Sequence, residues 1–393
     1  MTLNCGTSTF RFDVLETNHG FGIPIALASG LIEEIGEDAK VTLTIGHKSS
    51  EQRVTASSHA QAFEVACQLL DEAALLEGIE AVGHRIVHGG PNQVGPALID
   101  DAVLAAIGDA RQFAPLHNGA ALEIIRLSGS RFPTLPQVAA FDTAFFVDLP
   151  EVARRYALPT DVSERLGIRR FGFQGLAHHY MVEHYRALHP NLEQVRLITL
   201  QLGSDCSITA SIDGKPIDTS MGTTLLEGLI MGTRAGDLDP AIPLWLITRG
   251  GMQPDEVWRL LNTESGLKGL SGQTSDFKEL LRRKDAGDKD AAFAFQSFCV
   301  RVRKYLGSYL ALMAGADAII FGGGIGQHSA EVRSEVCGNL GWAGVTLDER
   351  WNQQAVVEMM ISTDDSSTEV WVMKVSEAAV IAEEVRNVLG ARQ

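Results

Sequence analysis

No apolar run in this 393-residue chain reaches membrane-spanning length and no signal-peptide pattern opens it, so a cytoplasmic protein is expected. Cysteine is scarce. The five residues Cys5, Cys67, Cys206, Cys299 and Cys337 show no CxxC spacing, which argues against a disulfide framework or zinc site and for small core fillers. Nothing next to Cys5 or Cys206 would lower a thiol pKa, so neither is a candidate nucleophile. Basic charge is also short: 33 Lys and Arg face 49 Asp and Glu, a formal charge of −16, which disfavours a nucleic-acid or anionic-membrane surface. Any anion must be handled at a local cationic site. Walker A is absent and no GxGxxG follows a first strand, so neither a P-loop nor a Rossmann reading is supported. Linkers, low-complexity segments and heptad runs are missing too.

What remains, 45% hydrophobic and 21% charged, suits two ordinary domains or one with large insertions. The local cation is most conspicuous between Asp218 and Pro240. There Arg234 sits between Gly232 and Gly236, with Asp237 and Asp239 close behind. Glycine lets backbone approach a ligand, and Arg offers a planar fork of donors for carboxylate or phosphate. An ordinary loop in which Asp237 or Asp239 pairs with Arg234 fits the same words.

Two stretches about half a chain apart share one design of strand, polar turn and strand. The first turns at Asn4-Cys5-Gly6-Thr7-Ser8 and continues through Phe10, Phe12 and Val14; the second runs Leu197–Leu200, turns at Gln201–Asp205 and continues through Cys206–Ile212 to an Asp213-Gly214 hairpin. Such turns gather N–H groups and hydroxyls that suit phosphate oxygens, and their recurrence suggests a duplicated domain with both turns facing one cleft. Further strands end on polar residues at His84-Arg85 and Asp142-Thr143, where open α/β sheets place ligands. The buried strand Asp317–Phe321 feeds the glycine turn 322–326, with a helix expected to open near Ser329. Residues 265–277 read as a Gly/Ser loop, Asp288 to Ala314 as a long helix, and Ser376-Glu377 as the start of the closing helix.

Backbone donors, two glycine-flanked Arg and strand-terminal carboxylates are what phosphoryl transfer from a nucleotide requires. In order and wording the motifs resemble the acetate kinase family, in the larger group with the actin, heat-shock chaperone and sugar-kinase ATPase fold. The carriers are 4–8, 84–90 (HRIVHGG), 116–118, 141–145 (FDTAF), 167–173 (GIRRFGF), 218–222, 231–237 (MGTRAGD), 271–277 and 324–326. The resemblance implies an α/β protein of two ribonuclease-H-like domains with a cleft between them, 1–143 plus 379–393 and 144–378. It implies reversible transfer of the terminal phosphate of ATP to a short carboxylate, with Mg²⁺ and ATP/ADP, and a homodimer.

By the same resemblance Arg85 and Arg234 clamp the carboxylate and the transferring phosphoryl group, Asp142 lies at the reaction centre, and His117 adds a donor. Asn4 and Glu377 hold the Mg²⁺ region. Val87, Leu116, Phe173 and Leu225 line the acyl pocket. Thr7, Thr9, Arg11, Gln201, Gly203, Ser204 and Asp205 face phosphates, while Asp276, Phe277, Lys278, Gly324 and Ile325 bound the nucleoside.

Departures cluster at the site. GFHGTSH becomes Gly172 to His178 with Gln174 in place of an imidazole, and HLGNGxS becomes Gln201 to Ser207, which removes a second His and introduces Asp205 in place of glycine. Leu225 replaces Pro, Gln327 replaces Glu, and Arg11 stands where Lys is common. Losing a charge-assisted donor costs on the order of 1–3 kcal/mol, and a carboxylate beside phosphates repels them unless Mg²⁺, Lys or Arg intervenes. Three readings follow: an acetate kinase with a divergent phosphate site, which the retained Arg85, Asp142, His117, Glu377, Asn4 and Arg234 favour; a relative using pyrophosphate or a longer carboxylate; and a nucleotide-binding protein of weak catalysis acting by domain closure. His178 and His179 read as structural or solvent-facing, and His84 and His88 as pointing away from the cleft.

Overall fold

The alternating and continuous apolar runs build two separate sheets. The computed structural model describes residues 1–17, 24–355 and 357–391. It divides into one unit of Met1–Val147 with Ser376–Gln393 and another of Asp148–Val375. The junctions thus fall past 143 and before 378, because the closing helix starts at Glu377 on its Ser376 cap and belongs whole to the first unit. The expected domain ranges also run through 18–23, 356 and 392–393, which lie outside the described residues.

In the first unit the strands are β1 (Thr2–Cys5), β2 (Phe10–Glu16), β3 (Ile25–Glu33), β4 (Gly36–Ile45), β5 (Lys48–Ala56), β6 (Val82–Ile86), β7 (Ala97–Leu98) and β8 (Gln137–Phe141). They lie in the order β5-β4-β3-β2-β1-β6-β8-β7. The second unit holds β9 (Arg196–Leu202), β10 (Cys206–Ile212), β11 (Lys215–Thr219), β12 (Ala318–Gly322), β13 (Met359–Met360) and β14 (Glu369–Val372), ordered β11-β10-β9-β12-β14-β13. Both sheets run through the same pairings. β3-β2-β1 and β11-β10-β9 are antiparallel, β1-β6-β8 and β9-β12-β14 parallel, and β7 and β13 close antiparallel. The repeated turn design of the sequence therefore marks a repeated sheet, extended by β4 and β5 in the first unit only.

Each sheet is covered by helices that complete its core. On the first, Phe63 of the helix His59–Glu72 and Ile124 of the helix Asn118–Arg131 join Phe10 and Phe12 in one cluster. Sequence reading passed over residues 25–72, whose β4–β5 hairpin is largely polar and exposed on β5. In the second unit β12 is buried throughout, as expected for a strand covered on both faces, and the helix Lys289–Leu312 is capped by Asp288. All five cysteines are buried and free, and burial pushes the Cys5 and Cys206 thiols up to about 12.

Two expected loops are partly helical. A helix starts at once after β12, at Gly323–His328, and Ser329 caps a second one, Ala330–Cys337. Gly323 is left-handed at φ +76, and a Cβ there would lie 2.4 Å from the Leu202 carbonyl oxygen, so the glycines serve close packing on β9 as well as any ligand. Within 265–277 lies the helix Gly266–Ser271.

The closing helix Glu377–Gly390 docks on β6 through Gly83, where a Cβ would come 2.5 Å from Ile381 Cγ2 and 2.8 Å from Val385 Cγ2. We expect Gly83→Val to cost about 1–3 kcal/mol by overpacking, read as a lower midpoint in urea unfolding. With Ile381→Ala the two costs should sum to less than their separate values; simple additivity would mean that the contact does not limit the docking.

Candidate active site

In the first unit four sequence-predicted residues meet. β6 is apolar except for His84 and Arg85, and its alternation places Arg85 on the opposite face from His84. Because Ile86 pairs with Phe141 at the end of parallel β8, the next residue, Asp142, enters a 3₁₀ turn beside the guanidinium. Arg85 donates from Nη2 to Asp142 Oδ2 at 2.7 Å and from Nε to both carboxylate oxygens at 3.2 Å. Its Nη1 reaches Asn4 Oδ1 at 3.3 Å and Glu377 Oε2 at 3.2 Å, and Asn4 Nδ2 donates to the same Glu377 oxygen at 2.9 Å. β1, β6, the 3₁₀ turn after β8 and the first turn of the closing helix each supply one member. Asp142 is fully buried.

The sequence reading missed Glu384 in the same helix. Burial, then the charge of Asp142, pushes its carboxyl up to about 8, so it is protonated at neutral pH and adds no charge behind Asp142. Asn4, Asp142 and Glu377 present hard oxygen donors, the set that Mg²⁺ accepts from one or two carboxylates before water and phosphate complete its shell. Among the described residues no cluster of three or more His, Cys, Asp or Glu could hold a metal ion by itself.

Near these, residues 88–90 are pinned: Asn118 brackets the His88 backbone through its Oδ1 and Nδ2, Gly90 N–H donates to His88 Nδ1 at 2.8 Å, and Gly89 N–H donates to Thr143 Oγ1 at 3.1 Å. Val87 is buried, Leu116 is 36% exposed, and His117 is buried at the N-cap of the helix Asn118–Arg131. The first turn closes by Gly6 N–H to Thr9 O at 2.9 Å, leaving Thr7 and Arg11 exposed. His84 points away as expected, bonded to Gln137 at 2.8 Å.

The second unit gathers Gln174, Asp205 and Arg234. Arg234, 4% exposed, forms an ion pair with Asp205. This corrects the local alternative: Asp237 instead accepts from Gly228 N–H and Tyr305 and faces Arg301, and Asp239 accepts from Ala241 N–H. Short chain separation gave no advantage because Asp237 is turned back into its own loop. The Arg234 backbone is fixed by Met231 N–H to Arg234 O and Ala235 N–H to Leu261 O. Gly266, at φ +62, lies so close that a Cβ would meet Met231 O at 2.2 Å.

Gln174, left-handed at φ +56, precedes the helix Gly175–Leu188. Its amide is oriented by a buried chain: Thr199 Oγ1 lies 2.7 Å from His178 Nδ1, His178 Nε2 lies 2.8 Å from Ser207 Oγ, and Ser207 donates to Gln174 Oε1. With that oxygen engaged, the Gln174 NH₂ faces the turn and donates to Asp205 O at 3.4 Å. His178 is thus structural. The sequence signal that was passed over is polar Ser207, Thr209 and Ser211 at alternate positions of a strand, all buried. Ser204 O accepts from Gly232 N–H at 2.9 Å, tying the Gln201–Asp205 turn, with Gly203, to the Arg234 loop.

Other candidates stand apart or are engaged elsewhere. Phe173 and Leu225 are buried, and the Gln201 Oε1 atom is buried without a partner among the described residues. Asp276 caps its helix through Glu279 N–H, Phe277 packs against Phe295 and Phe298, and Lys278 is exposed. Gly324 is open and Ile325 buried.

The profile of the Acetokinase family matches residues 1–383. An acetate kinase of Chloroherpeton thalassium is 42% identical, covering 97% of each chain. Among solved structures, Porphyromonas gingivalis acetate kinase superposes with a TM-score of 0.88 at 34% identity over 99% of this chain and 98% of its own. A propionate kinase of Francisella tularensis superposes at 0.89 with 36% identity over 98% and 97%.

Burial lowers the pKa of His178 from 6.5 to about 3 and that of His84 to about 4. Both are depressed below their unfolded values, so their contribution is complete above about pH 6.5 and is lost as pH falls toward the folded values. Urea unfolding between about pH 7 and 4.5 should show stability falling with acid, each His adding up to about 1.4 kcal/mol per pH unit. His178→Asn should flatten that slope by about one proton; an unchanged slope would remove His178 from the account.

Proposed function

The chain belongs to the acetokinase family, and on that premise we propose that it transfers the terminal phosphate of ATP reversibly to acetate, giving acetyl phosphate and ADP. The supporting observation is the junction of Arg85, Asp142, Asn4 and Glu377. A carboxylate oxygen attacks the γ-phosphorus, the bond from that phosphorus to the β-phosphate oxygen breaks, and ADP leaves; no proton need move. Mutual repulsion of the anions is the main obstacle, and two guanidinium forks answer it by holding and screening them. Arg85, oriented by Asp142, and Arg234 take that part. His117, Gln174 and Gln201 add neutral or weakly basic donors, and Thr7, Thr9, Arg11, Gly203 and Ser204 receive phosphate oxygens. Glu377 and Asn4 would hold Mg²⁺, whose chemistry is to neutralise nucleotide phosphate charge. By the family resemblance Val87, Leu116, Phe173 and Leu225 are assigned to the acyl group. The nucleoside is assigned to Asp276, Phe277, Lys278, Gly324 and Ile325.

A longer acceptor is the second reading, favoured by the likeness to the Francisella propionate kinase. No helix among the described residues is long and apolar enough to cross a membrane, in keeping with a cytoplasmic place of action. A homodimer is proposed as well: the helix Ala241–Thr248 (AIPLWLIT) buries none of its residues and leaves Leu244 and Trp245 62% and 52% exposed. Sedimentation should give twice the 42.4 kDa chain mass, and Trp245→Glu should yield the monomer; a monomeric parent chain would refute this assignment.

Acetate, Mg²⁺ and ATP should yield an acyl phosphate trapped by hydroxylamine. Arg85→Ala or Arg234→Ala should lower kcat/KM about 10²- to 10⁴-fold while calorimetric ADP binding persists. Unchanged turnover would overturn their roles. Leu225→Gly should raise the propionate to acetate ratio of kcat/KM by about 10-fold or more, the value of a methylene or two in an apolar pocket.

A further inference from the structure

A buried guanidinium needs acceptors or a counter-charge, and for Arg234 the second unit supplies a carboxylate. Arg234 carries its side chain at 5% exposure, and the partner on its fork is the Asp205 carboxylate, itself 29% exposed at the rim of the Gln201–Asp205 turn. Arg234 is locked by its loop: Leu267 N–H donates to Met231 O, Lys268 N–H to Gly232 O, and Ser265 N–H to Thr233 O, with Gly266 in contact with the Arg234 backbone. Asp205 sits on the turn between β9 and β10 with its side chain 29% exposed, so a ligand can approach the pair from solvent. A carboxylate and a phosphoryl oxygen present the same chemistry to an Arg fork.

We propose that Asp205 is a specificity-determining residue that occupies the anion-binding face of Arg234 in the unliganded chain, so that a phosphoryl ligand binds by exchange with this carboxylate. The inference deepens the kinase reading and rests on its assignment of Arg234 to an anion. Exchange has two consequences. Part of the attraction between Arg234 and an incoming phosphate offsets the broken pair, so free anions bind weakly. The displaced carboxylate also remains beside the phosphate and repels it unless the ligand brings its own cation, which discriminates metal-complexed phosphates from free inorganic anions. Gln174 reinforces the arrangement, because its amide holds the Asp205 backbone carbonyl and cannot itself add positive charge.

Calorimetric titration with inorganic phosphate, without nucleotide or metal, tests this in the full chain. Asp205→Asn keeps the size of the side chain and should bind phosphate at least about 10-fold tighter than the parent. Its unfolding temperature should be lower without phosphate and recover as phosphate is added, because the uncompensated Arg234 regains an anion. Asp205→Ser should behave alike, and Arg234→Ala in the Asp205→Asn background should abolish the gain. Phosphate binding no tighter in Asp205→Asn and Asp205→Ser than in the parent, or a gain that survives Arg234→Ala, would overturn the proposal. The titration needs no turnover, so a chain that fails to form acyl phosphate but shows the Asp205 effect would refute the kinase reading alone.

Discussion

A guanidinium drawn out of water must be met by hydrogen-bond acceptors or by an anion, since an isolated buried charge costs far more than a fold can supply. Arg333 is met by the neutral oxygens of Asn352, Gly326 and Gln327, whereas Arg85 and Arg234 are met by carboxylates, each in a different way. Arg85 of β6 is shared among Asn4 of β1, Asp142 just past β8 and Glu377 of the closing helix. Arg234 faces a carboxylate from the neighbouring turn of its own unit. The first arrangement is a frame of several acceptors around one guanidinium. The second is a pair of opposite charges.

The frame depends on the repeated sheet. Parallel strands side by side end together, so β6 and β8 deliver Arg85 and Asp142 to one edge. In the second unit parallel β12 and β9 pair Gly322 with Gln201 in the same way. The antiparallel hairpins β1–β2 and β9–β10 then place their polar turns at the ends of these sheets. A carboxylate kinase needs backbone donors and cations more than covalent chemistry of its own, and each unit carries a guanidinium and a polar turn at the end of its sheet.

Much of the neutral machinery is held from behind. Gln174 would rotate freely as a surface amide; here Thr199, His178 and Ser207 fix which of its ends faces the turn. Loss of imidazole at Gln174 and Gln201 removes titratable donors from this edge. Burial keeps His178 neutral, so it orients without adding charge.

The residues alone determined the strands that lead to Arg85 and Asp142, the twin polar turns, the helix starts at Asp288 and Ser376, and the family, because these are local patterns of period, turn chemistry and word order. The edge strand β5 left no comparable trace, since it is exposed along nearly its whole length and has no buried face to write a period. Tertiary structure decided the partners. Asp237, nearest to Arg234 along the chain, turns away to Tyr305 and Arg301, while Asp205 reaches it from another loop; Glu377 meets Asn4 across nearly the whole sequence. Such contacts depend on how distant segments pack, and charge pairing follows distance in space, which chain order does not specify.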